Sequence, residues 1–227
     1  MKTYLEPEEV RRLEGAAACL RDRLLIRLLF RLGCRISEAL AIRVEDINLS
    51  HGSVTIPHLK RHLRLSCPDC QARLGKSHRF CARCGLDVAQ PVARAQETRR
   101  QRILPLDPET LEMLRDFMRR DATSGLIFGI NRHRAWQIIR DCAERAGLPP
   151  LVNPETGRIH GVSPHRLRDG FAVMAIQRDD STDSVRMLQE WLGHASIGTT
   201  MRYRKVAGQE LREWYKKLWS KKETSSG

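Results

Sequence analysis

Two Cys-x-x-Cys pairs, CPDC at residues 67–70 and CARC at 81–84, constrain this chain more tightly than any other stretch. Each pair suits a tight turn followed by a small or flexible residue. Two such turns can bring four sulfurs to one point and complete a tetrahedral thiolate site for zinc. The ten residues between them, QARLGKSHRF, are long enough to double back as a hairpin. Two disulfides or four reduced thiols are the other readings of this spacing. The N-terminal MKTYLEPEEV has no apolar secretory core, so a reducing, cytoplasmic setting is expected and disulfides are not the default. Four protein ligands leave no position for a reactive water, so zinc at Cys67, Cys70, Cys81 and Cys84 would be structural. His78 is left outside this closed shell, and Cys19, Cys34 and Cys142 read as ordinary small hydrophobes.

The segments flanking the cysteines say what they interrupt. GSVTI before them and RILPL after them, at residues 102–106, are β-branched or alternating stretches that read as strands. The simplest arrangement is a β-hairpin whose turn has expanded into a zinc-ribbon-like subdomain at residues 61–98. From Lys60 to Arg102 inclusive the chain has eleven Lys or Arg against three Asp or Glu, so this insertion reads either as a solvated basic surface or, the reading favoured, as an additional phosphate-contacting finger.

Elsewhere the pattern is helical. LRDRLLIRLLFRLG has a broad apolar face, and RISEALAIRVEDINLS continues as a short helix and a turn. Asp107 and Pro108 form a cap and first turn, Ser163-Pro164 opens HRLRDGFAVMAIQ, and Ser181 can cap TDSVRMLQEWLG. LPPLVNPETGRIHGV reads as a loop and GQELREWYKKLW as a terminal helix. The fold class expected is therefore mainly α with a small antiparallel hairpin. A chain of 227 residues fits one domain, or one domain with an insertion. Its net charge of +13 points to a polyanionic partner, and its cations are spread through helical segments, as in a folded nucleic-acid binder. No apolar run is long enough for a membrane span.

Several polar groups break the apolar patterns in a fixed order. Arg35 precedes a short helix and faces the bland alternative of an ion pair with Glu38. Lys60 ends the first strand. His165 and Arg168 are three apart, on one helical face. His194 follows WLG, where it could simply cap a helix, and Tyr203 stands among Arg202, Arg204 and Lys205. Singly each is weak evidence; jointly they are specific. The stretches LLFRLGCRISEALAIRVEDI, RRQRILPL, SPHRLRDGFAVMAIQ and LGHASIGTTMRYRKV resemble the catalytic domain of the tyrosine recombinase (phage integrase) family from about residue 4 to about residue 206.

That resemblance implies a catalytic-domain fold over residues 1–227 and a set of roles. Arg35 and Arg168 would be the active-site arginines, His165 and His194 the histidines, and Tyr203 the nucleophile. Lys60 would be the hairpin lysine, with Lys76 the alternative because the insertion disrupts the alignment there. It also implies double-stranded DNA as partner, covalent cutting and rejoining without a catalytic metal or nucleotide, and nucleoid association. A cyclic tetramer held by the C-terminal helix would complete the picture. Two departures stand out. Asp169 occupies a position where relatives often have histidine, and the resemblance starts near residue 4, so the N-terminal core-binding domain with which relatives close a clamp on DNA is not expected within this sequence. A non-cutting DNA-binding regulator and a topoisomerase-like nicking-closing enzyme are the alternative functions.

Overall fold

The computed structural model describes residues 3–57, 62–75, 78–88, 92–96, 101–120, 125–153, 156–194 and 196–206. Lys60, Lys76 and the terminal segment GQELREWYKKLW lie outside the described residues. The chain divides into two compact units, Met1–Pro57 with Gln101–Gly227, and His58–Arg100. In chain order the elements are α1 (Pro7–Gly15), α2 (Leu20–Arg31), α3 (Ile36–Leu40), β1 (Ile47–Asn48) and β2 (Ser53–Ile56). Then follow β3 (His62–Ser66), β4 (Arg73–Leu74), β5 (Val92–Gln96), β6 (Arg102–Pro105), α4 (Pro108–Arg120) and α5 (Arg132–Arg145). The chain continues with β7 (Leu151–Val152), β8 (Ile159–His160), α6 (Pro164–Arg178), α7 (Thr182–Leu192) and α8 (Ile197–Val206).

The larger unit is built around α2. Leu24, Leu25, Ile26, Leu28, Leu29 and Phe30 are all buried, because this helix packs against α1, α3, α4, α5 and α6 and has little surface facing water. A helix apolar on most sides is a central helix. Its one buried cation, Arg27, reaches Glu14 of α1 at 2.6 Å and Glu109 of α4 at 2.8 Å, so the charge is taken out of water only with partners on both sides. Sequence-assigned caps form as expected: the Thr110 N–H donates to Asp107 and the Ser184 N–H to Ser181.

The sheet of this unit runs β1-β2-β6, all antiparallel. Val54, Ile56 and Leu104 form its buried face, and Val54 pairs with Leu104. Arg102 pairs with Ile56 and, two residues from Leu104, shares that buried face. A cation is thereby aimed at the helices. The stretch read as a loop between α5 and α6 instead carries a two-stranded pairing of β7 with β8; two residues per strand give too short an alternation to register as a strand pattern. Of the three cysteines read as ordinary small hydrophobes, Cys34 and Cys142 are buried and Cys19 is exposed.

Where α6 crosses the N-terminal segment, the backbones approach closely. A Cβ on Gly170 would lie 2.5 Å from the Leu5 carbonyl oxygen, and backbone cannot rotate away as a side-chain tip can. Gly170→Ala is expected to cost about 2–3 kcal/mol, measured as a lower urea midpoint at unchanged slope.

The smaller unit has its own antiparallel sheet, β4-β3-β5, which the cysteine spacing alone did not suggest. Its two knuckles match bond for bond. Gln71 N–H donates to Cys67 O and Cys67 N–H to Ala72 O; Gly85 N–H donates to Cys81 O and Cys81 N–H to Leu86 O. The residue after each second cysteine is left-handed, Gln71 at φ 58° and Gly85 at φ 72°. Glycine adopts this freely; glutamine is held there by the two bonds around it.

Candidate active site and cysteine centre

Arg35, His165, Arg168, His194 and Tyr203 line one cleft of about 720 Å³ in the larger unit. Arg35 is the N-cap of α3. Its backbone N–H and its guanidinium both bond to Glu38, at 2.9 and 2.8 Å. The ion pair anticipated as the bland alternative therefore exists, and it orients the guanidinium while leaving a third of the side chain exposed to the cleft. Glu38 is buried. Burial favours its neutral form, but the Arg35 N–H, the charge of Arg102 and the Arg35 side chain outweigh that and hold its pKa below the ordinary value.

Arg102 was not singled out from sequence. Its Nη2 bonds Glu38 at 2.8 Å and its Nη1 bonds the Trp191 carbonyl at 2.5 Å, tying the sheet to the end of α7. The available signal was strand alternation, since a residue two before Leu104 had to face inward. Gly193, at φ 65°, ends α7, and a Cβ there would come 2.9 Å from the Arg102 guanidinium. A glycine is required at that helix end on both counts.

Arg168 is 3% exposed, and among the described residues its hydrogen bonds run to two backbone carbonyls and an imidazole. Nη1 donates to Gly33 O at 2.7 Å; Nη2 donates to Leu192 O and His194 Nε2, each at 2.9 Å. Burial, then the charge of Arg35, pushes its pKa down, yet a guanidinium stays protonated. The positive charge is thus fixed in orientation and left to act on whatever enters the cleft.

This arrangement also assigns the histidine tautomer. Arg168 can only donate, so His194 Nε2 accepts, and the ring proton sits on Nδ1, 2.9 Å from Thr200 Oγ1. Burial together with Arg168 and Arg35 lowers the His194 pKa to about 4, which keeps the ring neutral. Its ring stacks on Tyr203 at 6.1 Å between centroids. The segment bearing Tyr203, notable in sequence for its small residues, is a helix, α8, packed on α6 and α7.

Tyr203 Oη donates to Asp169 Oδ1 at 3.1 Å. Burial first, and then the Asp169 charge, raise the phenol pKa to about 12 against the opposing pull of Arg168. His165, 72% exposed, sits at the mouth with Nε2 3.9 Å from Asp169 Oδ1. Arg132 and Arg202 complete the lining, so four arginines face one carboxylate in a cleft suited to an anion. Arg132 and Trp136 come from α5, where only their apolar neighbours had been informative.

In the smaller unit the four Sγ atoms of Cys67, Cys70, Cys81 and Cys84 lie within 4.8 Å of one another. Two of the pairs, Cys67–Cys84 at 3.6 Å and Cys70–Cys81 at 3.5 Å, are far beyond a disulfide bond, and no cysteine forms one. A tetrahedral ion with Zn–S of about 2.3 Å would set sulfurs about 3.8 Å apart, so the donor set fits. Backbone N–H groups of Cys84 and Arg83 bring the Cys81 thiol down to about 6. Although the Leu86 N–H favours the Cys84 thiolate, burial and bonds to the other three sulfurs hold that thiol at about 12. Four thiolates this close need a cation among them. His78 is exposed and outside the cluster, as its exclusion from the shell requires.

A mainly helical frame presenting such a cleft defines a class, and the chain belongs to the Phage integrase family, which it matches over residues 3–210. It is 31% identical over 200 residues to the tyrosine recombinase XerD of Mycobacterium tuberculosis, covering 86% of this chain and 50% of that protein. It is 28% identical over 194 residues to the tyrosine recombinase XerA of Pyrococcus furiosus, covering 86% of this chain and 53% of that one. The chain thus spans about half the length of the curated relatives it matches. Its fold is that of the XerA recombinase crystal structure, at TM-score 0.63 and 22% identity over 96% of this chain and 64% of that one. The catalytic domain of bacteriophage HP1 integrase shares it too, at TM-score 0.56 and 18% identity over 95% of each.

Proposed function

We propose that this chain is the catalytic part of a site-specific DNA recombinase, which cuts and rejoins strands through a covalent 3′-phosphotyrosine at Tyr203. The observation that carries the reading is the convergence of Arg35, Arg168, His194 and Tyr203 on one cation-rich cleft. The XerH site-specific recombinase, solved bound to its difH substrate, is a similar structure. A phosphodiester entering the cleft would meet the guanidinium forks of Arg35 and Arg168, which match phosphate oxygens in geometry and charge. Tyr203 Oη attacks phosphorus, the P–O5′ bond breaks with its electron pair on O5′, and an acid protonates that oxygen. Lys60, or failing it Lys76, is assigned this role. The charge gathering on the phosphorane is met by fixed donors, so neither a nucleotide nor a catalytic metal is needed to drive the step. The phosphotyrosine conserves the bond energy for rejoining to a new 5′ hydroxyl.

The remaining assignments belong to the same reading. Cys67, Cys70, Cys81 and Cys84 would hold a structural zinc that fixes the 61–98 subdomain, a basic finger laid on double-stranded DNA. Copies would assemble on DNA as a tetramer through the C-terminal helix, in the cytoplasm at the nucleoid. Among the described residues no helix is long and apolar enough to cross a membrane.

The test is a library of duplexes randomised about a nick placed so that the short 5′-hydroxyl fragment diffuses away after cleavage. Wild type is expected to form an adduct that survives denaturation and maps to Tyr203 by mass spectrometry. If it forms no more than Tyr203→Phe does, the reading fails. Strand exchange between two copies of a selected site then separates recombination from nicking and closing.

A further inference from the structure

We infer that Asp169 is the proton acceptor for the Tyr203 hydroxyl, taking the phenol proton as Oη attacks phosphorus and returning it when the strand is rejoined. The inference rests on Tyr203 being the nucleophile. It assigns a group that neither histidine of the cleft can replace in the geometry observed.

The hydroxyl already points at its acceptor, 3.1 Å from Asp169 Oδ1. The second oxygen, Oδ2, accepts from Arg166 Nη1 at 3.0 Å, and Arg166 also reaches the Thr3 carbonyl at 3.4 Å. One oxygen is therefore anchored and the other presented to Tyr203. His194 stacks on the phenol but is committed at both nitrogens, accepting from Arg168 and facing Thr200. Protonating Nε2 would set two cations against each other at 2.9 Å. His165 lies beyond Asp169, at 3.9 Å from the oxygen that faces Tyr203, and is open to solvent. It is placed to carry the proton onward from the carboxyl, not to take it from the phenol first.

Electrostatics favours the same assignment. A carboxylate beside an arriving phosphate repels it, and the phosphorane carries more negative charge still. If Asp169 takes the proton in the same step, its own charge disappears as the phosphorane charge grows. The Oη–H bond breaks with its pair left on Oη, the proton joins Asp169 Oδ1, and Oη bonds phosphorus. The P–O5′ bond breaks with its pair on O5′, which is protonated by the acid assigned above. Nothing else is consumed. Among the described residues, the titratable and charged groups about Asp169 are His165, Arg166 and Arg168 on its own helix and Tyr203 on α8, with Arg35, Arg132, His194 and Arg202 lining the same cleft. The phenol, raised to about 12, does not ionise unaided at neutral pH.

The test is single-turnover adduct formation on one sequence recovered from the nicked-duplex library, with Asp169→Asn and Asp169→His checked for folding by thermal melting. General-base catalysis contributes about 10²–10⁴-fold, so Asp169→Asn is expected to slow the step at least 100-fold at pH 7. Its rate should climb about tenfold per pH unit through pH 9, because only phenolate reacts, while wild type stays level. Asp169→His should recover much of the rate and flatten the profile. An Asn variant as fast as wild type with a level profile makes Asp169 a mere hydrogen-bond acceptor and overturns the inference. A faster one makes it a restraint and overturns it too. If the Asn variant does not fold, an Asp169→His rate that climbs with pH as steeply as free phenolate would overturn it. Absence of any adduct in wild type above Tyr203→Phe is the separate failure of the parent reading.

Discussion

Arg168→Lys is expected to lower the rate of covalent adduct formation by about 10³-fold, close to 4 kcal/mol of transition-state stabilisation, while the protein stays folded. The reason is geometric and electrostatic together. Arg168 spends Nη1 on the Gly33 carbonyl and Nη2 on Leu192 O and His194 Nε2, and these bonds fix the plane of its charge. An ammonium is a point charge with no plane to fix. Burial lowers a lysine pKa by up to several units, so a lysine at a position only 3% exposed loses much of its charge at neutral pH, which the guanidinium does not. The orphaned carbonyls add about 1–3 kcal/mol of destabilisation, visible as a lower urea midpoint. His194 should respond as well: relieved of a cation on Nε2, its ring pKa should rise from about 4 towards the ordinary value, a shift readable by NMR. Adduct formation within tenfold of wild type would mean that Arg168 is a packing residue and that the cleft binds its anion elsewhere.

How far the chain could be read without coordinates depended on which interactions are local. α2 was legible because its apolar run is long and its burial nearly complete, and α4 and α7 because Asp107 and Ser181 sit where caps must. α8 is different: its residues carry little amphipathic pattern, and it is helical where α6 and α7 support it. The sheet of the smaller unit was hidden because HLRLS and VARAQ alternate only weakly. In the cleft, the groups named in advance were those expected to meet the substrate: Arg35, His165, Arg168, His194 and Tyr203. The groups that hold them were not. Glu38 looked like an incidental partner, yet it receives both Arg35 and Arg102. Asp169 stood out only as a departure from the histidine often found in relatives, yet it binds the tyrosine hydroxyl. Those contacts join residues 64 and 34 positions apart, and spacing says nothing at that range.

Removing metal from the purified protein, or replacing Cys81 with serine, is expected to unfold the His58–Arg100 unit while the larger unit keeps its melting transition. The buried apolar cluster of the smaller unit is slight: Leu74 and Val88 with Cys67 and Cys81, flanked by Leu65, Cys70 and Ala72. Two aliphatic side chains contribute about 3–6 kcal/mol together, which is small beside the chain entropy of ordering the two knuckles and the sheet. A structural zinc contributes about 10–16 kcal/mol at neutral pH. The cysteines are also half of that buried cluster, so releasing an ion from four crowded sulfurs would take the core apart as well as the cross-link. The larger unit has its own core, from Leu5 through Leu167, that includes none of these residues. Elemental analysis of the untreated protein should give one equivalent of zinc per chain, and Cys81→Ser should give less. Hydrogen exchange should then show amides such as Cys67, Gln71, Cys81 and Gly85, bonded in the knuckles, losing protection on chelation, while those of α2 and α6 do not change. Knuckle amides that stay protected without metal would show that the turns hold themselves, and that the four thiols are close for a reason other than an ion.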